Sequence, residues 1–334
     1  MKLTVLGSYG PYPPAGGACS GYLVEFEEWK LLLDCGNGVL SRLQHFIQPH
    51  QLDAVVLTHL HNDHISDCFI LRYAIRAAFK QGRRDKPLSL YAPSRPAEDY
   101  ERLTDPGIFQ VQPIRDAETL TFGPLQLSFL RTVHSVSCYA VKITVAGSPH
   151  RVVYSGDTEY FPDLVDFARE ASLLLCEANF LQRDLLAEEK NHMSARQAGI
   201  LGKQAGVKKL VLTHLLPYRE REAYLAEASK EFETVELAQE GEVYQINLSS
   251  FDHAKRDWKL LTVETNPIKA SLLEGRLKTE GIPVMLRNEE AAGQIYGLTV
   301  GPLAEIQVLV VEDKIQQARE ILQEINENPP EKTD

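Results

Sequence analysis

The stretch His59-Leu60-His61-Asn62-Asp63-His64-Ile65 decides the reading of this chain. Three imidazoles and a carboxylate crowd together directly after the apolar run Ala54-Val55-Val56-Leu57. Such a run reads as a buried strand whose end fans ligand-capable side chains outward. With 10 histidines in 334 residues, His-x-His-x-Asp-His arises by chance in fewer than roughly one such chain in a thousand, so the motif's false-positive risk is small. Four such groups buried without a metal would be left unsatisfied at high cost. Neutral imidazole and carboxylate suit zinc, and can also hold manganese or iron. The stretch therefore predicts a metal centre with donors for two ions. A lone histidine carries no such weight, and His45, His50, His150 and His253 are assigned no role.

Further ligands should stand at other strand ends. Leu125-Gln126-Leu127-Ser128-Phe129-Leu130 alternates and leads into His134. Arg151-Val152-Val153-Tyr154-Ser155-Gly156 leads into Asp157, and Lys209-Leu210-Val211-Leu212-Thr213 into His214. The last repeats the first motif in miniature: Val56-Leu57-Thr58-His59-Leu60 against Val211-Leu212-Thr213-His214-Leu215. This weak repeat suggests two similar halves that share one site.

Taken together, Thr58 to His64, His134, Ser155-Gly156-Asp157-Thr158 and His214 resemble the metallo-β-lactamase superfamily. Within it, they resemble the branch that holds the tRNA 3′-end endonuclease RNase Z and related phosphodiesterases. Leu6-Gly7-Ser8-Tyr9-Gly10 and Leu32-Leu33-Asp34-Cys35-Gly36-Asn37-Gly38 are similar to the family's opening strands and Asp-x-Gly turn. The resemblance covers roughly residues 1–248. It implies an α+β fold, a four-layer αββα sandwich. It also implies that His59, His61 and His134 bind one ion, that Asp63, His64 and His214 bind the other, and that Asp157 bridges them. Two Zn2+ are the expected ions, with Mn2+ or Fe as substitutes. Asp34 is expected to brace the ligand loop by hydrogen bonds rather than touch metal.

Two further matches point to the same branch. Cys176-Glu177-Ala178-Asn179-Phe180 stands where RNase Z-like proteins carry His-Glu-Ala-Thr, and Asn191-His192-Met193-Ser194 stands where they carry a His-Ser/Thr element. The resemblance implies that Glu177 and His192 pair beside the metals and that His192 protonates the leaving oxygen. Cys176 and Asn179 depart from the pattern. On the residues alone, Glu177 also reads as a loop cap and His192 as a surface histidine.

The implied chemistry is metal-assisted hydrolysis. Two ions about 3.5–4 Å apart lower the pKa of attacking water toward about 7 and offset charge on the oxygens around phosphorus. Asp63 would orient the nucleophile or accept its proton. A histidine titrating near neutrality suits the acid role of His192.

Hydrophobic residues make up 44% of the chain and charged residues 24%, which is ordinary for a globular protein. No apolar stretch approaches the roughly 18 residues a membrane span needs. Met1 to Leu6 turns at Gly7 too early for a signal peptide. Five scattered cysteines without a Cys-x-x-Cys fit a reducing cytoplasm. Net charge is −11, against the basic surface expected of a protein that grips a long nucleic acid. The stretch from Lys80 to Lys86 is basic but reads as a solvated loop. Short RNase Z proteins carry a tRNA-gripping arm between the positions of His134 and Asp157. Here residues 135–156 are mostly strand-like and leave no room for it. The expected substrate is accordingly a small or cyclic phosphodiester. An RNA 3′-processing endonuclease, a thioesterase or lactonase of the same fold, and a regulatory protein with a vestigial site are the rivals.

Strands are expected over Gly21–Phe26 and Lys30–Leu33, a helix over Phe69–Phe79, and a second helix opening at Ser194 with Gln197 in a capping box. The hydrolase domain is expected over residues 1–250, and Ser249 to Asp257 reads as a linker. Beyond it, strand–helix–strand–strand–helix patterns over residues 257–326 suggest a ferredoxin-like α+β module. The helices fall at Pro267–Lys278 and Asp313–Asn326, with strands at Trp258–Val263, Ile282–Leu286 and Ile306–Val310. The module resembles a small bacterial domain described as signal-transducing. Packing or homodimerisation is its plainer role, ligand sensing the other.

Overall fold

The computed structural model describes residues 1–116, 118–186, 191–246, 258–280, 282, 284–288 and 306–327. The expected linker and the C-terminal tail lie outside the described residues. The chain divides into two compact units, Met1–Ser250 and Phe251–Asp334.

The first unit begins β1 (Lys2–Gly7), β2 (Gly21–Phe26), β3 (Trp29–Leu33), α1 (Val39–Leu43), β4 (Ala54–Val56), α2 (Asn62–Ile65) and α3 (Cys68–Lys80). It continues β5 (Leu88–Ala92), α4 (Ala97–Leu103), β6 (Phe109–Pro113), β7 (Thr119–Phe122), β8 (Leu125–Arg131), β9 (Tyr139–Val145) and β10 (Arg151–Tyr154). It closes with α5 (Pro162–Phe167), β11 (Leu173–Glu177), α6 (Ala195–Ala205), β12 (Leu210–Thr213), α7 (Arg221–Ala228), β13 (Val235–Leu237) and β14 (Val243–Gln245).

These strands form two seven-stranded sheets, ordered β14-β1-β2-β3-β4-β5-β6 and β13-β12-β11-β10-β9-β8-β7. Successive side chains of a strand point to opposite faces. In β3, Leu31 and Leu33 enter the core between the sheets, while Leu32 faces the helices. Val5, Tyr22 and Val56 of the first sheet meet Leu127, Val141, Val152 and Leu175 of the second. On the outer face of the first sheet, Leu23, Leu32 and Val55 pack on α1 and α3 through Val39, Leu43, Leu71 and Ile75. On the outer face of the second, Val153, Leu174 and Leu212 pack on α5, α6 and α7 through Leu164, Leu201 and Tyr224. The result is the αββα sandwich. Because these central strands are covered on both faces, they are continuously apolar rather than alternating.

β3 to β6 are parallel, and so are β10 to β13. Ligands of such sheets bind beyond the carboxyl ends of the strands. The chain uses those ends: β3 exits into Asp34, β4 into His59, β10 into Asp157 and β12 into His214, while β11 ends on Glu177. The strands of the two copies of the miniature repeat lie in different sheets, and the histidines within the copies converge on Asp157. The loops are stitched across the sheets. The Tyr22 hydroxyl lies 2.6 Å from Thr213 Oγ1, and the Tyr139 amide donates to the Thr58 carbonyl at 3.0 Å.

The second unit runs β15 (Trp258–Glu264), α8 (Pro267–Thr279), β16 (Val284–Asn288), β17 (Ile306–Val311) and α9 (Ile315–Glu327). Its antiparallel sheet is ordered β15-β17-β16, and Leu273, Leu277, Val308, Val310, Ala318 and Ile321 form its core. The element order is ferredoxin-like. Two elements start two residues later than the sequence reading. β16 starts at Val284, past Pro283, which has no N–H for a ladder. α9 starts at Ile315, because Glu312–Lys314 winds as a tighter 3-10 turn.

The basic stretch after α3 is not simply solvated. The Arg84 guanidinium donates to the carbonyls of His50 at 2.9 Å and Leu52 at 2.8 Å, tying the loop to the start of β4. Among the described residues, all five cysteines are buried free thiols, and no helix is long and apolar enough to cross a membrane.

Candidate metal centre

The seven expected ligands are brought together. The ligand atoms of His59, His61 and His134 lie within 4.8 Å of one another, as do those of Asp63, His64 and His214, and those of His59, His64 and Asp157. Asp157 sits centrally. Its Oδ2 is 3.6 Å from His59 Nε2, 3.4 Å from His64 Nε2 and 3.2 Å from His214 Nε2. Asp63 Oδ2 lies 3.1 Å from His214 Nε2 and 3.7 Å from His64 Nε2. His61 Nδ1 is 3.1 Å from Nε2 of both His59 and His134. Tetrahedral zinc with Zn–N bonds of 2.0–2.1 Å spaces its donors about 3.3–3.4 Å apart, so these separations match a metal's ligand shell.

The other ring nitrogens are engaged in ways that fix which nitrogen faces inward. His64 Nδ1 donates to Asp34 Oδ2 at 2.8 Å, and His134 Nδ1 to the Asn191 carbonyl at 2.9 Å. His59 Nδ1 lies 3.1 Å from Thr58 Oγ1, which in turn donates to Asp34 at 2.9 Å. Asp34 is fully buried and also accepts the Thr58 amide at 2.7 Å and the Tyr154 hydroxyl at 2.9 Å. It stands behind the ligand-facing nitrogens, bonded to the outward Nδ1 of His64 and to Thr58, and so braces the loop as the resemblance implies.

His64 Nε2 and Asp157 Oδ1 are buried and have no hydrogen-bond partner, although both belong to the cluster. Two such orphaned atoms in one ligand shell are accounted for by a cation. The electrostatics agree. Burial, and then the charge of His64, hold His59 well below the usual imidazole range. Burial would also lower His64, but Asp157, Asp34 and Asp63 carry it well above that range. Three carboxylates around one buried imidazole require a positive charge there, supplied by a proton or by a metal that displaces it. The residues therefore fit bound metal.

Beside the cluster stands a second pair. Glu177 is fully buried, and its Oε1 accepts from His192 Nδ1 at 2.9 Å and from the Thr158 amide at 2.6 Å. Its Oε2 accepts from the amides of Met193 at 3.2 Å and Asn179 at 3.3 Å. The carboxylate thus caps a loop and also orients an imidazole. His192 Nδ1 lies 3.9 Å from Asp157 Oδ2, and its ring stacks on His214 with centroids 5.2 Å apart. Burial would lower the pKa of His192, but Glu177, Asp157 and Asp63 push it up to about 9. The capping box behind it is present: Ser194 Oγ accepts the Gln197 amide at 3.1 Å, and Gln197 Oε1 accepts the Ser194 amide at 3.0 Å.

The departure at Cys176 costs the site nothing, because strand alternation sends that thiol into the helix-side core while Glu177 faces the cluster. The departure at Asn179 has a use. Its amide donates to the carbonyls of His214 at 3.0 Å and Gly10 at 3.3 Å, and it lies 3.2 Å from His214 Nδ1. His214 is left-handed at φ 57, a conformation that needs such support. Sequence reasoning assigned no role to Gly10. A Cβ there would stand 2.0 Å from His214 Nε2, so only glycine lets the ring reach its place. Its position in the opening Gly-x-x-Gly was the available signal. His150 contacts Ser172 away from the cluster, and His253 lies outside the described residues.

This fold and ligand set define a metallo-hydrolase, and the chain belongs to the metallo-β-lactamase superfamily: residues 30–215 match the "Beta-lactamase superfamily domain". Residues 258–326 match a second family, described as "Putative prokaryotic signal transducing protein". The chain is 37% identical over 246 residues to "Probable metallo-hydrolase YhfI" of Bacillus subtilis, spanning 73% of this chain and 100% of the relative. The crystal structure of YhfI superposes with a TM-score of 0.68, covering 73% of this chain and 98% of that one. A "Ribonuclease Z" from Archaeoglobus fulgidus is 27% identical, over 72% of this chain and 96% of its own. A structure titled as a new diphosphatase from the PhnP family shares the fold, with a TM-score of 0.58 at 18% identity, covering 74% of this chain and 98% of that one.

Proposed function

We propose that the protein is a dinuclear metal phosphodiesterase acting on a small or cyclic phosphodiester, with two Zn2+ as its working ions. The observation that carries this is the Glu177–His192 pair held at 2.9 Å against the cluster. An imidazole kept protonated beside a metal-held scissile group serves a reaction whose leaving oxygen needs a proton, as an alkoxide leaving phosphorus does. Metal ions held by the seven ligands would supply Lewis acidity and bring the pKa of attacking water toward about 7. Asp63 would orient that water or take its proton, its Oδ2 standing among the ligand atoms 3.1 Å from His214 Nε2. Glu177 fixes the His192 ring through Nδ1, leaving Nε2 to deliver a proton to the leaving oxygen. The ribonuclease Z and PhnP-family likenesses support phosphorus chemistry over thioester or lactone hydrolysis.

A small substrate is favoured over RNA. Net charge is −11, and the segment between His134 and Asp157 is taken up by β9 and β10.

The test pairs elemental analysis with kinetics. Purified protein should carry close to two transition-metal ions per chain, and Asp157→Ala should lose both. Metal-loaded protein should hydrolyse an activated bis-aryl phosphodiester, and Asp63→Ala should lose several kcal/mol of that catalysis, each ~1.4 kcal/mol being tenfold in rate. Faster turnover of a lactone or thioester than of any diester would move the protein to the rival class.

A further inference from the structure

We propose that Arg95 and Arg131 form a subsite for a second phosphate group of the substrate, so that the preferred diester carries an additional phosphate monoester. The proposal deepens the phosphodiesterase reading and rests on it for what is cleaved, though not for what is bound. A cavity of about 580 Å3 opens beside the metal cluster, lined among others by Arg95, Arg131, Thr132, His134, Ser135 and Ser137. That is the size of a small-molecule site. His134 belongs to both cavity and cluster, since its Nε2 lies 3.1 Å from His61 Nδ1. A molecule filling the cavity therefore reaches the reacting centre.

The two arginines come from different sheets. Arg95 lies in the loop after β5, and Arg131 is the last residue of β8, both at the carboxyl ends that carry the ligands. Among the described residues, neither guanidinium has a hydrogen bond or ion pair. Arg76, Arg102, Arg196 and Arg219 are by contrast each paired with a carboxylate; what distinguishes Arg95 and Arg131 is that both line the cavity beside the cluster. Among the described residues, no carboxylate lines the cavity. Two unengaged planar forks lining one cavity with the hydroxyls of Ser135 and Ser137 suit bidentate binding of a phosphate. Metals held by the seven ligands would take the scissile anion, which leaves the arginines for another one.

The test compares thymidine 5′-phosphate with thymidine 3′,5′-bisphosphate, bound to metal-loaded full-length protein and followed by calorimetry. The bisphosphate should bind at least about tenfold more tightly, as expected for a charge-assisted contact. That advantage should vanish in Arg95→Gln and in Arg131→Gln, and persist in part in Arg131→Lys, which keeps charge but loses the fork. Equal affinity in the wild type, or an advantage that survives in either glutamine variant, would overturn the subsite. Turnover is read separately, with the 4-nitrophenyl esters of thymidine 5′-phosphate with and without a 3′-phosphate. The ratio of their kcat/KM values should favour the phosphorylated ester and fall at least about tenfold in the variants. No hydrolysis of either ester, with the binding preference intact, rejects the phosphodiesterase reading and leaves the subsite standing.

Discussion

His192 is where one residue decides between two chemistries. Its pKa stands near 9 because three carboxylates outweigh its burial. Two cations bound nearby would pull that value back down. The imidazolium donates the proton, so the activity it supports is present at low pH and lost as pH rises through its pKa. On a diester with a basic alkoxide leaving group, the alkaline limb of kcat should therefore fall between the ordinary imidazole value of about 6.5 and about 9. His192→Ala should abolish that limb and lower kcat by about 10²- to 10⁴-fold. A nitrophenolate ester should suffer far less, because a good leaving group departs unprotonated. Metal content should stay unchanged. Equal damage to both substrates, or loss of metal, would make His192 a positional residue or a ligand.

At the scale of elements, the site is a set of strand exits held in place by caps and glycines. The ligand motif was legible because Thr58 to His64 is contiguous: an apolar strand stops and its ligands follow at once. His134, Asp157 and His214 were legible for the same reason, each trailing an apolar run. What escaped the sequence are contacts that fold closure alone creates. Asn179 reaches Gly10 across 169 positions, and Tyr154 reaches Asp34 across 120. No local pattern announces such pairs. The α6 cap is the opposite case, a local signal that positions a distant function. Ser194 bonds Gln197 and also Gln182 at 3.0 Å, and His192 lies two residues upstream. Ser194→Ala should cost about 1–2 kcal/mol, read as a lower urea midpoint, and should slow the alkoxide diester more than the nitrophenolate one. An unchanged midpoint would mean that the cap is dispensable.

At the scale of the molecule, every ligand and both proton-transfer candidates fall within Met1–Ser250. A chain ended at Ser250 should fold, keep its metals and turn over a small activated diester. If turnover vanishes while metal and fold persist, the ferredoxin-like unit completes the substrate pocket rather than packing or sensing. The order of this second unit was legible from its alternating runs, whereas its boundaries shifted by two residues where proline and a 3-10 turn intervened. One carboxylate spans the larger unit. Asp34 leaves the first sheet, yet it holds His64 and Thr58 on one side and Tyr154 of the second sheet on the other. It works as a pin through two sliding plates: any shear of one sheet against the other drags on His64 and, through Thr58, on His59. The spacing of the ligands is thus a gauge of sheet alignment, and a cation held by donors from both sheets would lock the two plates together.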